Sequence, residues 1–506
     1  MLLPSWKQVY LRGFSYLWFP NFIRRLCLTC LNNYRVGRLY TSMFENILGQ
    51  PAAEQLLRDI GSRRLPSSLL FEGPPASAKG TAALELARIL SCNQEEAPWN
   101  CTCPACEQHR FLAHPDVLMM GSKDFGVEIR AAAGAFLRLP SQGSRLFFIR
   151  SLRKLLARFN PVLWEGEENR LTKLLPLITA LEEGIETLQQ LPLETEEKPE
   201  EFASRREKLV TSLVEDAASL ESGGISESIP LFQIRHATYW CRLAPLGKQK
   251  VLIIEHADRM QEGARNALLK ILEEPPEQVV LVLTTQRKGA ILPTILSRLR
   301  PYHFIQRPVA IEQQVIRRVF RDENGAAKFE HLPLYLQQFL PCSAEKVQEG
   351  ARFFLKQVVL YVLEQIGGIA AFSDENKREL ENSLSLLLNR GEKDLFPPPL
   401  SPQRVVASLA ERLCSFSSPS VLTLFFYQLE EELRSLLRQG GLPLSDPLFE
   451  ERWQVCIEEV YRDINLYNQQ STLGLEALFV RLADILYHHP LVAPAVYVRG
   501  EAGKRL

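Results

Sequence analysis

Residues 73–80 have the composition of a phosphate-binding loop, and a short apolar run at 67–72 precedes them. In a complete loop of this kind, backbone amides at a helix N-terminus hold phosphates and a lysine reaches the terminal phosphates. A Ser or Thr hydroxyl directly after the lysine binds Mg²⁺. Gly73 and Lys79 match this pattern, and a helical sequence follows them. The segment therefore predicts binding of a nucleotide's phosphates, with a chance strand–turn–helix as the alternative.

Three positions of this loop depart from the complete pattern. Ala78 replaces the second glycine and disfavours a positive φ there. Gly80 stands at the Mg²⁺-binding position and has no hydroxyl, while Thr81 comes one residue late and projects about 100° around the helix. We therefore expect a degenerate nucleotide site that can bind ATP but not hydrolyse it. Its residues are Gly73, Lys79, Gly80 and Thr81.

A second apolar run, at 250–255, ends in an acid, as the metal-binding strand of P-loop ATPases does. In those enzymes the acid holds Mg²⁺ through water, and a neighbouring Glu activates the attacking water. Here the acid is Glu255, which is longer than the usual Asp, and His256 stands in place of the catalytic Glu. A histidine can act as a base in principle, and the alternative is a surface histidine on a loop. Both substitutions favour a site without its own ATPase activity.

Four of the ten cysteines fall within fifteen residues. They are Cys92, Cys101, Cys103 and Cys106. Four thiolates in a short loop suit tetrahedral Zn²⁺, which indicates a metal site in a reducing compartment. Because the C-x-C step is tighter than the usual C-x-x-C, replacement of one thiolate by His109 and absence of the metal both stay open. The remaining alternative is a set of four free, buried cysteines.

A further candidate is an arginine in residues 292–304, close behind the apolar run at 279–285. At the edge of a domain, Arg298 could reach the nucleotide of a neighbouring subunit and stabilise the charge that develops in phosphoryl transfer. From spacing alone, a solvated arginine is the better interpretation of Arg298.

Short apolar runs alternate with helical patterns around these motifs. The runs at 67–72, 250–255 and 279–285, and another after the HPD sequence at 114–116, predict strands of a parallel sheet. After Pro308, nearly all apolar residues recur at helical spacing. The predicted fold class is a P-loop α/β domain, with a parallel sheet flanked by helices, followed by all-α domains.

The formal net charge of the 506 residues is zero, because 59 Lys or Arg residues balance 59 Asp or Glu residues. This excludes a wholly basic nucleic-acid coat and an acidic disordered tail. The balance is the sum of blocks: residues 1–42 carry six bases and no acid, 130–164 carry seven bases and no acid, and 165–221 carry fifteen acids and six bases. We interpret 130–229 as a helical insertion whose basic part contacts either DNA phosphates or its own acidic part.

Residues 1–42 stand apart because their bases are interleaved with aromatic side chains. They predict either a targeting or membrane-surface arm, or upstream sequence translated from a mis-set start before Met43. The sequence offers no stretch of 18 apolar residues without charge, so a membrane-spanning helix is not expected.

Six short motifs occur in a fixed order along the chain. They are ILGQ (47–50), the cysteine loop followed by HPD (114–116), QIR (233–235), KVLIIEHADRM (250–260), NALLKILEEPP (266–276) and LPTILSR (292–298). As a set they resemble the AAA+ subunits of the bacterial replicative clamp loader of DNA polymerase III, most of all the delta prime type. The resemblance covers 43–308 except the insertion, since the family normally crosses from HPD to QIR in a short connection.

This resemblance implies an architecture of three domains. An AAA+ domain at 43–308, with a zinc loop at 92–106, would be followed by a small helical lid at 309–345. A helical collar at 346–506 would then join a ring of subunits.

The resemblance also implies roles for single residues. Arg298, with Ser297, matches the arginine finger that acts on ATP in an adjacent subunit, and Leu299 replaces a cysteine of that motif. Thr285 lies near the family's sensor position, and the four cysteines match its zinc module. The motor subunits keep a complete phosphate loop and an Asp-Glu pair that this chain lacks, which implies a non-hydrolysing member.

The implied function is that of a delta prime-like subunit that helps to load the sliding clamp on primed DNA. The implied cofactors are zinc and bound, unhydrolysed ATP. The implied partners are the other clamp-loader subunits, the clamp, and primed DNA through the complex, with a cytoplasmic location and no membrane partner. Two alternatives stay open: a catalytically active gamma/tau-type ATPase, and a membrane- or organelle-associated adaptor that uses residues 1–42.

Overall fold

The computed structural model describes residues 43–122, 125–193, 199–365, 400–413, 419–438, 447–466 and 469–488. The basic block at 1–42 lies outside the described residues, and so do parts of the predicted collar, including 366–399 and 489–506.

Five parallel strands form one sheet in the order β2-β3-β4-β1-β5. Their bounds are β1 Ser68–Glu72, β2 Val117–Gly121, β3 Lys250–Glu255, β4 Val279–Thr285 and β5 Arg300–His303. Every residue of β3 and β4 is buried, because helices cover both faces of the sheet. The predicted class, a parallel α/β sheet, is confirmed. The sequence does not predict β5, in which only Tyr302 is buried.

The strand register brings the functional motifs together at the edge of the sheet formed by the carboxyl ends of the strands. Glu72 pairs with Thr285, and Gly121 pairs with Glu255, so the carboxyl ends of these strands lie side by side. The phosphate loop follows β1 directly at the same edge. In open α/β sheets, ligands bind at this edge.

Among the residues that the structure describes, ten α-helices accompany the sheet. Their bounds are α1 Pro51–Gly61, α2 Lys79–Ser91, α3 Pro104–Arg110, α4 Gly126–Arg138, α5 Gln142–Leu156, α6 Glu168–Gln190, α7 Pro199–Gly224, α8 Leu231–Arg242, α9 Glu262–Glu273 and α10 Pro293–Leu296. Sheet residues such as Phe71 and Ile253 pack with α1, α2 and the cysteine loop. Their sequence neighbours, such as Leu70 and Ile254, point to the opposite face, as the two-residue period of a strand requires.

Helices α4–α7 lie between β2 and α8 along the chain. Phe148 and Leu152 of α5, Leu181 of α6 and Leu213 of α7 belong to the same hydrophobic core as the sheet. The helices of the predicted insertion at 130–229 therefore pack into the core of the α/β domain.

The described residues after Pro308 are helical, as predicted. A small group comprises α11 Val309–Val319, α12 Glu323–Lys328 and α13 Leu332–Gln337, and a larger group comprises α14 Ala344–Gln365, α15 Pro402–Arg412, α16 Pro419–Arg438, α17 Pro447–Leu466 and α18 Ser471–Tyr487. The small group packs around Ile316 and Tyr335, and Ala131 of α4 joins this core. Phe354, Phe425 and Trp453 lie at the centre of the larger group. In the described part of the chain, every helix is too short or too polar to cross a membrane.

Candidate functional site

The phosphate loop joins β1 to α2 in the geometry that the sequence predicts, but with strain. Gly73 has φ 153°, and a Cβ at this position would lie 2.2 Å from the carbonyl oxygen of Phe304, so only glycine fits. Ala78 adopts φ 71° although it carries a Cβ. The left-handed conformation costs an alanine about 1–2 kcal/mol. The loop keeps this conformation at Ala78 although the second glycine is absent.

Lys79, at the start of α2, turns its ammonium group back onto its own loop. Nζ donates to the carbonyl oxygens of Gly73 (2.7 Å) and Pro74 (2.5 Å) and to Oγ of Ser77 (3.1 Å). Burial lowers the pKa of Lys79 to about 8, against the opposing pull of Asp258. A nucleotide's phosphates would therefore have to replace three hydrogen bonds that the lysine already makes.

The space between Gly80 and Glu255 is where this fold would hold a nucleotide's Mg²⁺, and we call it the metal position. Nζ of Lys154, from α5, lies 3.5 Å from Oε1 of Glu255 and 2.9 Å from Oε2 of Glu128. Arg158 donates from Nη2 to Oε2 of Glu255. Burial opposes ionisation of Glu255, but Lys154 and Arg158 outweigh it and lower the pKa of this carboxyl to about 2.

The residues at the metal position do not fit a nucleotide-bound Mg²⁺. A Cβ on Gly80 would lie 2.5 Å from Oε1 of Glu255, so the Ser or Thr that normally holds the ion cannot be accommodated without a shift. Thr81 is exposed on α2 and does not substitute for it. The carboxylate that would face the metal is already paired with two cations.

The strand end beside the metal position forms a second polar network. Thr285, which is fully buried, donates from Oγ1 to Asp258 at 2.8 Å. Arg287 pairs with the other oxygen of Asp258 at 2.9 Å. Next to them, His256 has φ 54° and its amide donates to Oγ1 of Thr284 at 3.3 Å. Thr285 thus lies at the same sheet edge as the loop, where it bonds to Asp258, a residue that the sequence motifs did not single out.

Ser297 and Arg298 directly follow α10, and both are exposed. Arg298 pairs with Glu273, the last residue of α9, at 2.6 Å and donates to the carbonyl oxygen of Thr294 at 2.7 Å. The guanidinium group is therefore held by its own chain while it faces solvent.

The four cysteines of the zinc prediction come together. Their sulfur atoms all lie within 4.8 Å of one another, and Sγ of Cys92 is 3.7 Å from Cys101 and 4.0 Å from Cys103. Tetrahedral coordination at about 2.3 Å places sulfur atoms about 3.8 Å apart, so these residues fit Zn²⁺. Burial raises the pKa of Cys106 well above its usual range, whereas amide hydrogen bonds from Asn93 and Cys106 outweigh burial at Cys103 and lower its pKa to about 6.

Two basic side chains flank the cysteine cluster. Arg88, buried in α2, donates to Sγ of Cys106 at 3.1 Å and to Glu85 at 2.6 Å. His109 is not part of the cluster; its ring stacks on His114 at 4.3 Å, and burial lowers its pKa to about 3. The option of His109 as a replacement ligand is therefore not supported by the geometry.

Each of the seven bases at 130–164 has a partner inside the protein. Arg130 and Arg138 donate to the carbonyl oxygens of Phe339 and Phe320, Arg145 to Leu191, Arg150 to His109 and Arg110, Arg153 to Phe111, and Lys154 and Arg158 pair with Glu255. This pattern argues against a basic face that waits for DNA phosphates. Lys154 and Arg158 were not predicted as site residues. Arg158 lies in the 3₁₀ turn Ala157–Phe159 that follows α5, and the four-residue spacing of the two bases is the signal that the sequence offers.

The sequence matches known proteins over the residues that build this site. A family profile described as DNA polymerase III, delta subunit, matches residues 49–155 and 187–308. The gap between the two matched segments lies within the predicted insertion.

Individual relatives point the same way. The delta' subunit of Bacillus subtilis DNA polymerase III is 44% identical over 70 residues, which are 13% of this chain and 21% of that subunit. The delta' subunit of Pseudomonas aeruginosa is 33% identical over 142 residues, or 28% of this chain and 43% of the subunit. The gamma/tau subunit of Mycobacterium bovis is 30% identical over 123 residues, covering 24% and 20%.

The chain thus spans less than half the length of each of these relatives. Over residues 49–155 and 187–308, this chain is therefore similar to clamp-loader subunits of DNA polymerase III, of both the delta' and the gamma/tau type.

Proposed function

We propose that this chain acts as a non-hydrolysing, delta prime-like subunit of the bacterial replicative clamp loader. The observation that carries the proposal is a contrast between two sites of one domain. The metal position is filled by Lys154 and Glu255, whereas Arg298 is exposed at the end of α10. Such a subunit cannot use its own loop for metal-assisted hydrolysis but can offer an arginine to another subunit.

In this proposal the partners are the other clamp-loader subunits in a hetero-oligomeric ring, the sliding clamp, and primed DNA through the complex. The α/β domain at 43–308 presents Arg298, residues 309–345 form the lid, and the helices within 346–506 form the collar that joins the ring. A cytoplasmic location is part of the same proposal.

The proposed role of Arg298 is electrostatic. A guanidinium group aimed at the γ-phosphate of a neighbour's ATP stabilises the charge that develops as the phosphoryl group is transferred. The pair with Glu273 limits the rotamers of the arginine, and Ser297 lies within 3.3 Å of the guanidinium. The side chain is therefore presented in a restricted geometry, which reduces the entropy lost when it engages phosphate.

We also propose that Cys92, Cys101, Cys103 and Cys106 hold one structural zinc ion. Four protein ligands leave no open coordination position, so the ion would stabilise the loop rather than take part in chemistry. The Arg88 guanidinium beside Cys106 would offset part of the negative charge of a four-thiolate site.

The gamma/tau-type ATPase is the second candidate, favoured by the 30% identity to the Mycobacterium bovis subunit. Gly80, His256 and the ion pairs of Glu255 all oppose it, since each removes a part that hydrolysis needs.

The experiment that tests the proposal is replacement of Arg298 by Ala in the reconstituted complex. If Arg298 is a finger, the adjacent ATPase site should lose on the order of 10³-fold in kcat, so ATP turnover of the complex falls while the variant still assembles. Arg318→Ala, a change of another exposed arginine on α11, should leave turnover unchanged. Full ATPase activity in a complex shown to contain Arg298→Ala would contradict the proposed role.

A further inference from the structure

The metal position contains a positive charge supplied by the chain itself. In a complete site, the ion lies between the hydroxyl after the loop lysine and the acid at the strand end. Nζ of Lys154 lies 3.7 Å from the point that a Cβ on Gly80 would occupy, and 3.5 Å from Oε1 of Glu255. The ammonium group is therefore bracketed by the two positions that normally bracket Mg²⁺.

We propose that the ammonium group of Lys154 takes the place of Mg²⁺ in this fold, so that the site is metal-independent. This inference concerns the chain's own loop, and it stands whether or not Arg298 acts on a neighbouring subunit.

Gly80 and Lys154 act together: the absence of a side chain at Gly80 accompanies the replacement of the metal ion by the ammonium group of Lys154. The carboxylate of Glu255 reaches so close to α2 that a Cβ on Gly80 would lie 2.5 Å from it. A Ser or Thr at this position would push the carboxylate away from Lys154. The absence of a side chain at Gly80 thus leaves room for the carboxylate of Glu255 to approach Lys154.

The charges at the metal position also balance without an ion. Lys154 and Arg158 face Glu128 and Glu255, two cations against two carboxylates, and Glu255 is buried. A divalent ion would have to displace one of these cations and leave it buried without its partner, which is unfavourable.

The same contacts hold the chain at the end of α5 against the carboxyl end of β3. The guanidinium of Arg158 lies 5.1 Å from the ring centroid of Phe125, and its backbone carbonyl accepts a hydrogen bond from Nε1 of Trp164 at 2.8 Å. Arg158 is 3% exposed, so it cannot leave Glu255 without disturbing this packing. The cation pair is therefore a built part of the domain and not a mobile surface contact.

The test is thermal unfolding of the full chain with and without millimolar Mg²⁺, at matched ionic strength. The wild-type melting temperature should not respond to Mg²⁺. Lys154→Ser removes the cation and leaves room for a hydrated ion, so it should lower the melting temperature by about 5 °C or more and make it rise again when Mg²⁺ is added. In Lys154→Ser/Glu255→Gln the gain from Mg²⁺ should disappear, and Lys173→Met, a change of an exposed lysine on α6, should behave as wild type.

A second measurement covers the case in which Lys154→Ser does not fold. Binding of Mn²⁺ to the wild-type chain is followed by water-proton relaxation, with Glu255→Gln as the comparison. Equal relaxation for both proteins supports the inference. Mn²⁺ binding, or stabilisation by Mg²⁺, that is present in the wild type and lost in Glu255→Gln would overturn it, as would a folded Lys154→Ser that responds to Mg²⁺ no more than the wild type does.

Discussion

At the scale of single residues, Glu255 is the group that reports most directly on the metal position. Its carboxyl is buried, which alone would favour the protonated form, yet the nearby Lys154 and Arg158 keep it ionised. The pKa of this carboxyl therefore falls from 4.5 to about 2 on folding. A group whose pKa is lowered in the folded state stabilises the fold above its unfolded pKa, and this stabilisation is lost as pH falls toward the folded value.

We therefore predict that acid removes a specific part of the stability. Between about pH 5 and pH 2, the wild type should lose on the order of 3 kcal/mol of unfolding free energy that Glu255→Gln has already lost at neutral pH. The two proteins should differ at pH 7 and converge as the solution is acidified. Denaturant titrations at a series of pH values measure this, and a gap between the two curves that stays constant from pH 7 to pH 3 would contradict the electrostatic account.

The sequence predicts those parts of the site whose residues lie close together along the chain, and it does not predict contacts between residues that are far apart in sequence. Gly73 and Lys79 lie in one contiguous motif, so their placement beside α2 follows from local pattern. Lys154 and Arg158 lie about a hundred residues from Glu255, and only the packing of α5 on the sheet brings them together. The sequence shows that both residues are basic, but it does not show which carboxylate they pair with in the fold.

At the scale of elements, the four strands with apolar runs were predicted, including the edge strand β2, and the other edge strand, β5, was not. β3 and β4 are continuous apolar runs, whereas β5 is the four-residue segment Arg-Pro-Tyr-His at the edge of the sheet. Short, polar edge strands limit pairing with other chains, and the same property hides them in a sequence. The helical periods of α5–α7 were also visible, but their contribution to the core was not, because periodicity does not identify the partner of an apolar face.

The cysteine loop is the element with the clearest chemical test. Because four sulfur atoms gather in one cluster, we predict about one zinc ion per chain, measured by elemental analysis of protein purified without chelators. Cys103→Ser should lose most of the zinc and melt at a lower temperature, since metal binding contributes directly to the stability of such loops. Cys241→Ser changes a buried cysteine in α8, outside the cluster, and should keep its zinc. Zinc-free wild-type protein of full stability would rule out the proposed site.

At the scale of the whole molecule, the neutral net charge is the sum of basic and acidic blocks, and the fold brings some of these blocks into contact. Arg145 and Arg153 of α5 face the acidic helix α6, through the carbonyl oxygen of Leu191 in one case and the charges of Glu182 and Glu186 in the other. The basic side chains of the block at 130–164 thus make their contacts within the protein. The basic block at 130–164 therefore gives no support to the predicted contact of this segment with DNA phosphates.

The final prediction separates the two clamp-loader roles for the chain as a whole. Since the metal position is filled and no Glu follows the strand-end acid, the isolated chain should turn over ATP at the background rate, with or without Mg²⁺. Lys79→Ala should change nothing in this assay, because there is no turnover for it to remove. A motor subunit behaves differently: its turnover depends on Mg²⁺ and falls when the loop lysine is removed. Mg²⁺-dependent turnover by the purified chain that Lys79→Ala abolishes would therefore replace the delta prime-like proposal with the gamma/tau-type ATPase.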